Sequence, residues 1–144
     1  MATAPVPPLV SVVAPVVAPV TAPVIAGASD AAALLADLCD SPLERAAVLY
    51  LDPKWRLLGR VDFTGTATAV APTFRAIFAE ALRLDATALV LAHSHPGGSS
   101  TASAQDIAFT RALVRMGAAL DVTVTDHLIV ARDGITSLRE AGLL

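Results

Sequence analysis

A chain of 144 residues favours one domain with room for a real core. Its 55% hydrophobic content owes much to Ala and Val near the N-terminus, and a formal net charge of -3 leaves no global electrostatic footprint for nucleic acid, so direct nucleic-acid binding is not expected. The single cysteine, Cys39, excludes an internal disulfide framework and cysteine-rich zinc sites, and fits a reducing, cytoplasmic compartment.

Residues 1–28 are a low-complexity run of Pro, Val and Ala that holds six of the ten prolines. Proline removes backbone donors and breaks helices, so this stretch is expected to be an extended, disordered tail. It lacks the basic start of a signal peptide, and its prolines interrupt any membrane-length apolar run. The folded domain is expected over 29–144, beginning with a short helix capped by Ser29 or Asp30 and reaching Leu38. Cys39 follows as a small core residue. Ala46–Leu51 reads as a buried strand, Asp52-Pro53-Lys54 as a turn, and Trp55–Phe63 as the returning strand of a hairpin.

Pro72 suits the first turn of a helix, and Phe74, Ile77, Phe78, Ala81 and Leu82 form one apolar face of it. Ala88–Ala92 reads as a central strand. Pro96-Gly97-Gly98-Ser99-Ser100 is a loop. A helix from Ala104 to Ala119 carries the stripe Phe109, Leu113, Met116 and Leu120, with Arg111 and Arg115 on its solvated face. Val122–Val124 and Leu128–Ala131 read as two separate strands, and Asp133-Gly134 as a turn into a last strand, Ile135–Leu138. Helices interleaved with strands in this order predict a three-layer α/β/α domain with a mixed sheet.

The chemistry concentrates in His93-Ser94-His95-Pro96 at the end of the central strand. Residues i and i+2 of an extended chain share a face, so two imidazoles there can reach one metal ion. Asp106 shares a helical stripe with Phe109 and Leu113 and should point inward, where a carboxylate needs a partner or a metal. Ser103 and Asp106 also fit a capping box, in which the serine starts the helix. His127, beside Asp126, reads as a structural histidine outside the site.

Together, His93-Ser94-His95-Pro96, Gly98 and Ser103-Ala104-Gln105-Asp106 resemble the JAMM signature of JAB/MPN-domain zinc peptidases, and within them the bacterial RadC-like branch. Glu44-Arg45 before Val48-Leu49-Tyr50-Leu51-Asp52, Ala81-Leu82-Arg83-Leu84, Asp126-His127-Leu128-Ile129-Val130 and Glu140-Ala141-Gly142-Leu143 are similar too, so the likeness spans about Ser41 to Leu144. It implies a cytidine-deaminase-like fold and one Zn2+ held by His93, His95 and Asp106, with a water in the open position. It further implies Glu44 as general base, Ser103 as oxyanion stabiliser, and a peptide or protein substrate cleaved at a peptide or isopeptide bond. Without the resemblance Glu44 reads as an exposed charge at a strand start, and Glu80 is a rival carboxylate. The alternative implied by the family is a non-catalytic binding or scaffold module associated with DNA metabolism. The family's loop carries an Asp-Pro and a second Pro where this chain has Ser99, Ser100 and Ala102, so the loop is expected to be more mobile.

Overall fold

A computed structural model describes residues 18–64 and 72–144. The helices are α1 (Ala28–Leu35), which runs on into a 3-10 segment (Ala36–Asp40), α2 (Phe74–Arg83) and α3 (Ala104–Ala119). The strands are β1 (Arg45–Leu51), β2 (Leu57–Thr64), β3 (Ala88–Ser94), β4 (Thr123–Ala131) and β5 (Gly134–Ser137). They form one five-stranded sheet in the order β2-β1-β3-β4-β5. Only the β3–β4 pair is parallel, joined across α3 in a βαβ unit, and the other neighbours are antiparallel. The sheet is therefore mixed, with α1 on one face and α2 and α3 on the other.

Alternation along the strands builds a core on each face. Ala47, Leu49, Leu51, Val90, Ala92, Leu128 and Val130 meet Leu35 and Leu38 beneath α1. Val48, Tyr50, Leu89 and Leu91 meet Ile77, Phe78, Ala81 and Leu113 on the other face. Tyr50 is fully buried there because its hydroxyl donates to the Ile77 carbonyl at 2.9 Å. The Phe74 and Phe109 rings, 4.8 Å apart, lock α2 beside α3.

Several expectations are corrected in detail. Residues 1–17 of the expected tail lie outside the described residues, whereas within 18–28 Ala18 and Ile25 are buried. Ile25 is buried, its N–H donates to the Trp55 carbonyl at 2.8 Å, and Pro23 accepts from Leu57 N at 2.9 Å, a contact that needs no N–H from the proline. The returning strand starts at Leu57 rather than Trp55, because Trp55 takes a left-handed φ of 64° in the turn that Asp52 organises through Lys54 N and Arg56 N. Thr73, not Pro72, begins α2 by accepting from Ala76 N, and Leu82 faces solvent rather than the core.

On α3, Leu113 is buried but Met116 and Leu120 are 44% and 40% exposed. The helix end comes close to β4 through Gly117 instead of through larger side chains. A Cβ at Gly117 would overlap the Val122 carbonyl oxygen, which belongs to the backbone and cannot swing aside. Gly117→Ala is expected to lower the unfolding free energy by about 1–3 kcal/mol, read from the urea midpoint. An unchanged midpoint would show that the α3–β4 turn relaxes freely.

The two short strands expected near 122–131 are one strand, β4. Its polar middle is buried because distant partners satisfy it. Asp126 accepts from His127 N at 2.7 Å, Ser137 Oγ at 2.6 Å and Arg139 N at 3.2 Å. At the other edge, Arg60 bridges Asp37 at 2.8 Å and Asp62 at 2.7 Å, tying the 3-10 segment to β2. The Arg60 hydrogen bonds hold the Asp37 carboxyl below its ordinary range, against a smaller opposing effect of burial. Cys39 is half-buried and its thiol donates to Ala36 O, in keeping with a small packing residue. No helix among the described residues is long and apolar enough to cross a membrane.

Candidate metal centre

His93 is the sixth residue of β3 and His95 follows the strand by one residue. Both rings turn to the α3 face at the C-terminal end of the strand. His93 is 8% exposed, and His95 is held in line because its N–H donates to Val130 O at 2.9 Å. Between them Ser94 points to the other face, where its hydroxyl accepts from Arg45 N at 2.9 Å and so fixes the start of β1. Since β1 pairs Ala46 with His93, Glu44 lies two residues outward on the same face. A Glu44 carboxylate oxygen and ring nitrogens of His93 and His95 lie within 4.8 Å of one another.

Asp106 reaches the same point from α3. Ser103 and Asp106 form the expected capping box: Asp106 N donates to Ser103 Oγ at 3.0 Å, and Ser103 N donates to Asp106 Oδ2 at 2.8 Å. This fixes the carboxylate with Oδ1 at 3.2 Å from His93 Nε2 and Oδ2 at 3.4 Å from His95 Nε2. The two Nε2 atoms are 2.8 Å apart. Burial opposes charge on Asp106, but the contact with His93 and the hydrogen bonds from Ser103 hold its carboxyl well below the usual carboxylate range. It therefore faces the two rings as an anion, at the positive end of α3.

The donor set suits a metal ion. Four ligands at 2.0–2.1 Å in a tetrahedron stand about 3.3 Å apart, and the three contacts above are 2.8, 3.2 and 3.4 Å. His95 Nδ1 lies 2.8 Å from the Ser99 carbonyl oxygen, which only accepts, so Nδ1 carries the proton and Nε2 is free to ligate.

The structure thus brings Glu44, His93, His95 and Asp106 together, with Ser103 beside them at the helix start. Glu80 is not in the cluster and pairs with Arg83 at 2.6 Å. Sequence reasoning missed Thr110, and it read His127 as a structural histidine without its tie to His93. His127 is 2% exposed, with its Nε2 2.7 Å from His93 Nδ1 and its Nδ1 2.5 Å from Thr110 Oγ1. Burial pushes the His127 imidazole down to about 3, so it is neutral. The available signal was its place in β4, the strand parallel to β3, two positions from the residue that pairs with His93.

The loop expected to be mobile is held by Ser100, one of the two serines that stand in place of the family's Asp-Pro. Gly98, at φ 97°, makes the turn that lets its N–H donate to His95 O at 3.1 Å. Ser100 N donates to Asp133 Oδ1 at 2.9 Å, and Thr136 Oγ1 donates to Ser100 Oγ at 3.0 Å, fastening the loop to the β4–β5 hairpin.

An α/β sandwich whose inner strand ends in two histidines facing a helix-cap aspartate has the architecture of a JAB/MPN domain. A family model described as the RadC-like JAB domain matches residues 25–143, and the chain belongs to that family. A UPF0758 protein of Thermosynechococcus vestitus is 43% identical over 111 residues, covering 76% of this chain and 44% of that relative. A UPF0758 protein of Bordetella avium is 41% identical over 111 residues, covering 76% and 49%. One from Methylibium petroleiphilum is 42% identical over 112 residues, covering 77% and 50%. The chain spans about half the length of these curated relatives.

Proposed function

We propose that this domain is a zinc-dependent hydrolase of peptide or isopeptide bonds, with His93, His95 and Asp106 as metal ligands. The observation that supports the reading is the convergence of two imidazole Nε2 atoms and a carboxylate at contacts of 2.8, 3.2 and 3.4 Å, near the edge of about 3.3 Å expected between ligands of a tetrahedral zinc site. A zinc ion held there supplies Lewis acidity toward a carbonyl and lowers the pKa of a water to about 7. Glu44 lies within 4.8 Å of the two histidine ring nitrogens, where its carboxylate can take a proton from the water and return it to the leaving amine. Ser103 Oγ spends an acceptor position on Asp106 N, which leaves its own O–H proton for an oxyanion formed at the α3 N-terminus. The substrate is a peptide or protein, and the reducing compartment suggested by the single cysteine is the cytoplasm.

The test is zinc per chain by elemental analysis of protein purified without a metal-binding tag. About one zinc per wild-type chain, lost in His95→Ala and Asp106→Asn, is the expected result. A wild-type chain that takes up no zinc on reconstitution would move the domain to the family's metal-free binding role.

A further inference from the structure

We infer that His127 and Thr110 are positioning residues of the metal centre, holding His93 as the Nδ1–H tautomer with its Nε2 lone pair turned toward the ligand cluster. The inference rests on the zinc reading above for its purpose, and on hydrogen-bond direction for its content. The direction follows from one carbonyl. Thr110 lies one helical turn after Asp106, and its hydroxyl is 2.7 Å from the Asp106 backbone oxygen. A carbonyl only accepts, so the single hydroxyl proton goes there. The same hydroxyl oxygen lies 2.5 Å from His127 Nδ1 and, its proton spent, must accept from it. His127 then carries its proton on Nδ1 and presents Nε2 as an acceptor. That nitrogen is 2.7 Å from His93 Nδ1, which must donate. The remaining nitrogen of His93, Nε2, is left as a lone pair beside His95 Nε2 and Asp106 Oδ1.

The path closes on itself. Asp106 receives the Thr110 proton on its backbone and faces His93 with its carboxylate, so two of the three proposed ligands are joined through β4 and α3. Such outer partners fix the tautomer and ring orientation of a ligating histidine, and their loss typically costs about 10–100-fold in metal affinity. The direction is what an experiment reads.

Two measurements on the full chain decide it. In alkaline, metal-free buffer, long-range 1H–15N spectra of the histidine rings should show the His93 proton on Nδ1. His127→Phe should move it to Nε2, while His127→Gln, whose amide can both donate and accept, should keep it on Nδ1. In chelator-competition titrations, His127→Phe and Thr110→Val should weaken zinc binding about 10–100-fold, with Thr110→Ser and His127→Gln restoring it. A wild-type His93 proton on Nε2 overturns the inference whether or not zinc binds. So do unchanged zinc affinity and an unchanged tautomer in folded Thr110→Val and His127→Phe. If the wild type binds no zinc, the zinc reading fails by itself, and the spectra still decide the tautomer. Should His127→Phe not fold, the Thr110 Val and Ser pair carries both readouts.

Discussion

Glu44→Gln is expected to retain zinc and the fold while lowering turnover of a peptide or isopeptide reporter by about 10²–10⁴-fold, the usual worth of a positioned general base. The amide keeps the shape and the hydrogen-bonding reach of the carboxylate but cannot take a proton. Glu44 stands within 4.8 Å of the His93 and His95 ring nitrogens, close enough for two different roles. As general base it acts on a water beside the histidine pair. As a ligand it would displace Asp106 from the third position. Asp106 has the stronger geometric claim to ligation, because the capping box clamps its carboxylate at 3.2 and 3.4 Å from the two Nε2 atoms. Zinc content and turnover, measured on the same preparation, separate the roles. Loss of zinc in Glu44→Gln would make Glu44 a ligand and remove it as base.

A second large effect is expected in stability. Zinc at a thousandfold excess over its dissociation constant should raise the unfolding free energy of the wild type by about 4 kcal/mol, which for a domain of this size is on the order of 10–20 °C in Tm. Asp106→Asn should show no such rise. Its metal-free stability should nevertheless stay within about 1 kcal/mol of wild type, since an amide oxygen can still accept from Ser103 N and only the favourable charge at the helix start is lost. Asp106→Ala removes the cap as well and should cost about 1 kcal/mol more. Thermal scans with and without zinc read all three proteins. A zinc-dependent rise in Asp106→Asn equal to that of the wild type would place the bound ion elsewhere.

The parts of the fold that local patterns encode were legible in the sequence. Ala104–Ala119 is helical over its expected length, and the apolar run 88–92 is the core of β3, with two further residues. The histidine pair was legible because an i, i+2 spacing after a strand fixes a shared face, and Asp106 because it shares a stripe with Leu113. What failed to show was polar burial satisfied from afar. Asp126-His127 looks like a break between two strands because their partners, His93, Thr110, Ser137 and Arg139, stand 11 to 34 residues away. The same holds for the 99–100 loop, whose stiffness depends on Asp133 and Thr136 rather than on its own backbone. Met116 and Leu120 misled in the opposite sense. Periodicity placed them on the buried stripe, but the close approach at Gly117 is what seats that end of the helix.

The grip of Asp133 on Ser100 bears on how this domain can be engineered. Hairpin tips with small polar residues are the habitual choice for an inserted tag, a fluorophore or a split point, because backbone there carries little. The Arg132-Asp133 tip between β4 and β5 fits that description by exposure. Yet its aspartate holds the loop whose Ser99 carbonyl accepts from His95. A graft at this tip would be transmitted to the histidine pair as slack, and a labelled protein could keep its melting temperature while the proposed metal site loosens. The Lys54 turn, at the opposite end of β1 from Glu44, is the safer attachment point.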